Sequence, residues 1–115
     1  HIDYGSQYRM GRISIVNGHH YGAYCDIGIK DISIYGSNSA SDFNDLTYAN
    51  DGTWIQMSGL SANSCRAHIS YDLPDVQYIT FDCASTYRYW CVKIANTNNS
   101  QTFSIMSIRR IEFQN

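Results

Sequence analysis

Charge is scarce in this 115-residue chain, where Asp, Glu, Lys and Arg together supply 16% of the residues and proline occurs once, at Pro74. Globular domains usually carry about a quarter charged residues. Here Ser, Asn, Thr and Tyr fill the gap, Tyr alone occurring ten times. The formal net charge of −2 offers no basic excess, which argues against nucleic acid or an anionic membrane surface as a partner. No run approaches the roughly 18 apolar residues of a membrane span. No signal-peptide pattern is present, although a removed one leaves no trace. No stretch holds a 3.6-residue period over a useful length, so no long amphipathic helix is expected. There is no GxSxG elbow for a nucleophilic serine. The four cysteines, Cys25, Cys65, Cys83 and Cys91, include no close CxxC pair of the kind a zinc site uses. They allow three disulfide pairings. Cys83 and Cys91 flank a short turn between candidate strands, so a cross-strand bridge is geometrically possible. Small buried thiols are the alternative.

What is present reads as short strands and turns. With 43% hydrophobic and 14% aromatic residues, the chain can build one proper core, and residues 1–115 are read as a single domain. Period-2 alternation marks strands at Arg12–Asn17, Asp31–Tyr35, Trp54–Met57, Arg66–Asp72, Val76–Asp82, Tyr87–Ala95 and Phe103–Phe113. Within them, Ile13 and Ile15 point inward, as do Trp90, Val92 and Ile94. Ile27 and Ile29 have the opposite parity to Ile32 and Ile34, which suggests a bulge near Lys30–Asp31. Gly36 to Asp45 and Asn96 to Thr102 read as polar loops. Short strands with turn signals every 8–12 residues imply an all-β two-sheet sandwich or jelly roll.

Four segments resemble one family. Lys30-Asp31-Ile32-Ser33-Ile34-Tyr35-Gly36-Ser37-Asn38 is similar to the "kdfeIyGSnD" segment of discoidin-like domains, also known as coagulation-factor C-type domains. Ile2-Asp3-Tyr4-Gly5 resembles their "wiDlG", and Arg12 to Val16 the strand that follows. Tyr87 to Ile94 resembles "YrYwRlki", and Ile108 to Phe113 the closing "IsEIeF". The order is the family's, and the likeness spans nearly all of the chain. It implies a discoidin-like jelly-roll β-sandwich, related to galactose-binding carbohydrate-binding modules. A complete family domain is longer, and the part that would precede His1 normally supplies the first strands and one ligand-facing loop. The chain, which begins at His1, is therefore read as a fragment or processed piece of a larger protein. Calcium is common in the family, but its usual loop lies in that preceding part, so no cofactor or metal is expected within these residues.

The resemblance also implies where a ligand sits. Galactose-binding relatives end a strand in Arg and complete the contact with an Asn before the next strand. Asn17 stands at the Arg position and Asp26 at the Asn position, so a glycan is implied without galactose being named. Between them, His19 and His20 can donate and accept hydrogen bonds to sugar hydroxyls, and Tyr21 and Tyr24 can pack on the apolar side of a sugar ring. Solvated loop residues and ordinary loop packing are the plain alternatives. A second loop adds Asn99, Gln101 and Phe103, the last also readable as the first core residue of a strand. Asn98-Asn99-Ser100 is in addition an N-glycosylation sequon, meaningful in a secreted eukaryotic protein.

No enzyme is expected. Asp42 and Asp45 in one loop, and Asp72 and Asp75 around Pro74, read as turn aspartates rather than a glycosidase pair, which needs one desolvated carboxyl. The expected function is a non-catalytic, lectin-like adhesion module that binds a cell-surface or extracellular glycan. It would sit outside the cell or on a virion, beside other domains or subunits of its parent. Membrane insertion is not expected, since the loops offer few apolar spikes with basic neighbours. The competing class is a structural or protein–protein assembly domain of an adhesin or viral tail fibre.

Overall fold

The structure is a computed structural model that describes residues 1–19, 24–69, 72–99 and 106–115. Its strands, among the described residues, are β1 (Ile2–Tyr8), β2 (Arg12–Asn17), β3 (Ile32–Ser37), β4 (Ile55–Gln56), β5 (Val76–Thr80), β6 (Tyr87–Ile94) and β7 (Ile108–Gln114). They form two antiparallel sheets, a four-stranded one in the order β1-β6-β3-β4 and a three-stranded one in the order β5-β2-β7. The architecture is an all-β sandwich.

Register follows the hydrophobic alternation. In the smaller sheet Ile13 lies opposite Ile79 and Phe113, and Ile15 opposite Ile111. In the larger sheet Ile32 pairs with Ile94 and Ile34 with Val92, so these residues share one face. Ile13, Ile15, Ile29, Ile34 and Trp90 are completely buried where the two inner faces meet. Each such side chain contributes about 1.5–3 kcal/mol by leaving water. Trp90 packs 5.0 Å from Phe113 and 5.9 Å from Phe81, and its indole N–H donates to the Tyr87 carbonyl at 3.1 Å.

The larger sheet is covered on its outer face too. Tyr35, Tyr89 and Cys91 point away from the main core and form a second cluster with Trp54, against which Phe43 packs. The covering segment includes the short helix α1 (Ala40–Asn44), in a stretch the sequence reads as loop throughout. Asp42 fixes it in place: its carboxylate accepts the Ser37 hydroxyl at 2.5 Å, the Thr53 hydroxyl at 2.6 Å and the Thr53 N–H at 3.0 Å. Burial pushes this carboxyl up, but the combined donors outweigh it and hold it below the ordinary carboxylate value.

Three expectations change. The bulge expected at Lys30–Asp31 does not interrupt the pairing with β6, since Ile29 opposite Thr97 and Ile32 opposite Ile94 keep one register. Ile27 lies upstream in a 3-10 turn, Cys25–Ile27. Arg66–Asp72 forms no strand as far as Ile69, because its N–H groups find scattered single partners instead of a ladder. Arg66 donates to the Gln77 side chain, His68 to the Cys25 carbonyl and Ile69 to Asp75. The last strand begins at Ile108, and residues 103–105 of the expected strand lie outside the described residues. The four cysteines are unbridged thiols, three of them buried.

Candidate functional site

The described ends of the two loops that the sequence assigns to a ligand lie at one end of the sandwich, where β2 finishes and β7 begins. Residues 20–23 and 100–105 lie outside the described residues. Gly18 N–H donates to the Ser107 carbonyl at 2.9 Å, and Ser107 N–H to the Ile27 carbonyl at 2.9 Å. Asn98 clamps the other side, its backbone N–H on Gly28 O at 2.9 Å and its side-chain amide on Ile29 O at 2.8 Å. A third loop, between Cys65 and Asp75, closes over the same end. It is tied down by Cys65 N–H to Lys30 O at 2.8 Å and His68 N–H to Cys25 O at 3.1 Å.

The expected residues take different places. Asn17 is fully buried, with its carboxamide bonded to the Ile29 backbone and to the Arg66 carbonyl, so it builds the floor and does not face a ligand. The side chain of His19 is fully covered. Asp26 and Asn99 are half-buried at the rim. Tyr24 is 70% exposed. His20, Tyr21, Gln101 and Phe103 lie outside the described residues.

Tyr24 is also held in an unusual backbone. Its φ of 50° and ψ of 43° place it in the left-handed region, where a non-glycine residue costs on the order of 1 kcal/mol. Such strain persists only where the surrounding structure fixes it. The result is an aromatic ring presented to solvent at the entrance to the 3-10 turn. Ile69, Leu73 and Met106, from the other two loops, are 42%, 60% and 50% exposed. Apolar surface therefore crowns this end.

Beneath that crown lies a polar cluster that the sequence did not reveal. The rings of His19 and His68 sit 4.1 Å apart, tilted by 31°. The Nε2 of His19 lies 3.1 Å from an Arg109 Nη1 and 3.7 Å from Asp72 Oδ1. Both ring nitrogens of buried His68 face carbonyls, Leu73 O at 2.8 Å and Ile69 O. Asp75, also buried, accepts both terminal nitrogens of Arg66 and the Ile69 N–H at 3.0 Å. Hydrogen bonds from Arg66 are the main reason its carboxyl stays below the ordinary range, against the opposing effect of burial. Sequence spacing carries no sign of this cluster, since His68, Asp75 and Arg109 meet only through the loop closure. Among the described residues, no three His, Cys, Asp or Glu side chains are grouped closely enough to hold a metal ion.

Such an arrangement can hold a ligand by an apolar ring face and a polar rim. Compared with known proteins, the chain matches no family model, no curated protein and no solved structure.

Proposed function

We propose that this chain is a non-catalytic carbohydrate-binding module, a discoidin-like jelly roll that attaches its parent protein to an extracellular or surface glycan through the loops at the Tyr24 end. The observation that carries the reading is the exposed Tyr24 ring on a strained backbone, next to half-buried Asp26 and above hydrogen-bonding side chains. Sugars present an apolar face and a hydroxyl rim, and this end offers a partner for each. A rigid sandwich with its variable chemistry on end loops suits binding without catalysis. The four-segment likeness to discoidin-like domains supports the family, and the low charge with abundant Tyr, Asn and Ser suits a glycan partner. The unbridged thiols give no support to an oxidising compartment, so the surface location rests on the family likeness.

A glycan array at high protein loading tests this reading, with Tyr24→Ala as the matched control. Binding to a defined glycan class that the variant loses is the expected result. A second reading, an assembly domain of an adhesin or tail fibre, draws on the exposed Ile69, Leu73 and Met106, which a protein surface could bury equally well. Silence on the array together with concentration-dependent self-association would favour it. Sedimentation with anionic vesicles is the control for that apolar surface, and retention there would replace the glycan reading.

A further inference from the structure

The outer face of the four-stranded sheet carries a separate hollow of about 240 Å³. Trp54, which is 8% exposed, forms its floor, and Tyr48 and Leu46, 59% and 79% exposed, stand at its rim. We propose that this hollow is a second ligand site, taking one uncharged pyranose ring against Tyr48 and Trp54 with its hydroxyls on Asp45 and Asn50.

The arch that builds the hollow is fixed before any ligand arrives. Thr47 N–H donates to Asp45 Oδ1 at 2.9 Å, and Asn50 N–H to the Thr47 carbonyl at 3.0 Å. Gly52 N–H donates to Asn50 Oδ1 at 3.1 Å, and the Asn50 amide to Asp45. Lys93 props the arch from below, donating to the Tyr48 carbonyl at 2.8 Å and to Asp51, with its ammonium 5.4 Å from the centre of the Tyr48 ring. Leu46 and Tyr48 are thus held in water by an arch whose side-chain bonds come from Asp45, Asn50 and Lys93. A preorganised apolar wall loses little entropy on binding.

Chemistry selects the ligand class. Asn50 and Asp45 face each other as one polar edge, and each keeps unused hydrogen-bonding capacity: an amide proton on Asn50, lone pairs on the carboxylate. That edge beside an aromatic wall matches a ring with hydroxyls on its rim and C–H groups on its face. Asp45 and the adjoining Asp42 outnumber the His1 amino group while Lys93 is neutralised by Asp51, so the charge in and beside the hollow is negative. An anionic sugar is disfavoured, and the volume limits the occupant to about one ring. This site stands on its own residues and does not need the Tyr24 end to bind anything.

Titration of the ¹⁵N-labelled chain with galactose, glucose, mannose, N-acetylglucosamine and fucose, each to tens of millimolar, tests the proposal by ¹H–¹⁵N correlation spectra. At least one sugar should shift the Trp54 indole, the Gly52 amide and the Asn50 side-chain amide together. Leu46→Ser, at an exposed position outside the arch's hydrogen bonds, should weaken that binding by about five- to tenfold with an unchanged melting temperature. Asn50→Ala, which also releases Gly52 and Asp45, should weaken it at least as much. Tyr24→Ala should leave it intact. No shift at these three signals with any neutral sugar overturns the site, as does equal binding of N-acetylneuraminic acid. Shifts confined to residues around Tyr24 overturn it too, while leaving the end-loop reading standing.

Discussion

Asn17 and Ile29 are joined by a closed pair of amide hydrogen bonds. The Asn17 Oδ1 accepts the Ile29 N–H at 3.0 Å and its Nδ2 donates to the Ile29 carbonyl at 3.1 Å. The side chain thus imitates a strand neighbour, and its second amide proton reaches the Arg66 carbonyl at 3.1 Å. One buried carboxamide pins the end of β2 to the Ile29 segment and to the third loop. Asn17→Ala leaves the Ile29 N–H without its partner, while the Ile29 and Arg66 carbonyls keep the Asn98 and Gln77 side-chain amides, so the loss should be about 1–3 kcal/mol. Urea unfolding checks this, and a loss under 1 kcal/mol would mean that water replaces the amide freely.

Gly28 is the other half of that device. A Cβ there would sit 2.4 Å from the Asn17 Cγ, and with a φ of −71° the obstacle is steric, not conformational. Gly28→Ala should therefore displace the Asn17 side chain and reproduce most of the Asn17→Ala loss. The two changes combined should cost clearly less than their sum, because both break the same contact. Additive losses would show that Gly28 acts through something other than Asn17.

Tyr24 separates stability from binding. Replacing it with glycine relieves the left-handed backbone, so Tyr24→Gly should hold or raise stability by up to about 1 kcal/mol. The same change removes the exposed ring and should weaken glycan binding at least tenfold, as stacking and apolar burial go together. Thermal melts and a binding isotherm on one preparation read both effects. Unchanged affinity would move the ligand away from this end.

The sequence revealed the sandwich because burial alternates where the strands are long: Ile13 and Ile15, then Trp90, Val92 and Ile94. Asn17 shows what family position can hide. It shares the parity of Ile13 and Ile15, so the alternation pointed its side chain inward while the resemblance assigned it to a ligand. β1 went unmarked as a strand because, although Ile2 and Tyr4 alternate with Asp3 and Gly5, most of the strand is exposed. The His19–His68 contact could not be read at all. Forty-nine positions separate the two, and the segment carrying His68 alternates like a strand yet is drawn into single bonds with Cys25, Gln77 and Asp75.

The thiols make a chemical prediction. Burial raises Cys65 to about 11 and pushes Cys91 up as well, so neither supplies much thiolate at neutral pH. Ellman's reagent should titrate the native chain slowly and reach four equivalents only after denaturation. Because no bridge is present, dithiothreitol should leave the melting temperature unchanged. A fall of several degrees under reduction would mean that a disulfide forms in solution.

Acid should unfold the protein through its anchored carboxylates. Asp75, bound by Arg66 and the Ile69 N–H, and Asp42, bound by Ser37 and Thr53, both lie below their ordinary values. A depressed native value means that the unfolded chain binds more protons in that window, so stability rises with pH there. The contribution is complete above the unfolded value near 4 and disappears as pH falls through the lower native values. The melting temperature should thus be nearly flat from pH 7 to about 5 and drop steeply below about 4. Asp3, held at about 2 chiefly by its hydrogen bond to Arg88, sits at the surface, and its share should fade in high salt. The shares of buried Asp42 and Asp75 should persist. Asp75→Asn keeps the shape but discards the charge. Given that Arg66 remains half exposed, it should cost about 1–3 kcal/mol at pH 7 and visibly flatten the acid limb. An acid limb as steep in Asp75→Asn as in the parent would assign acid unfolding to other carboxylates.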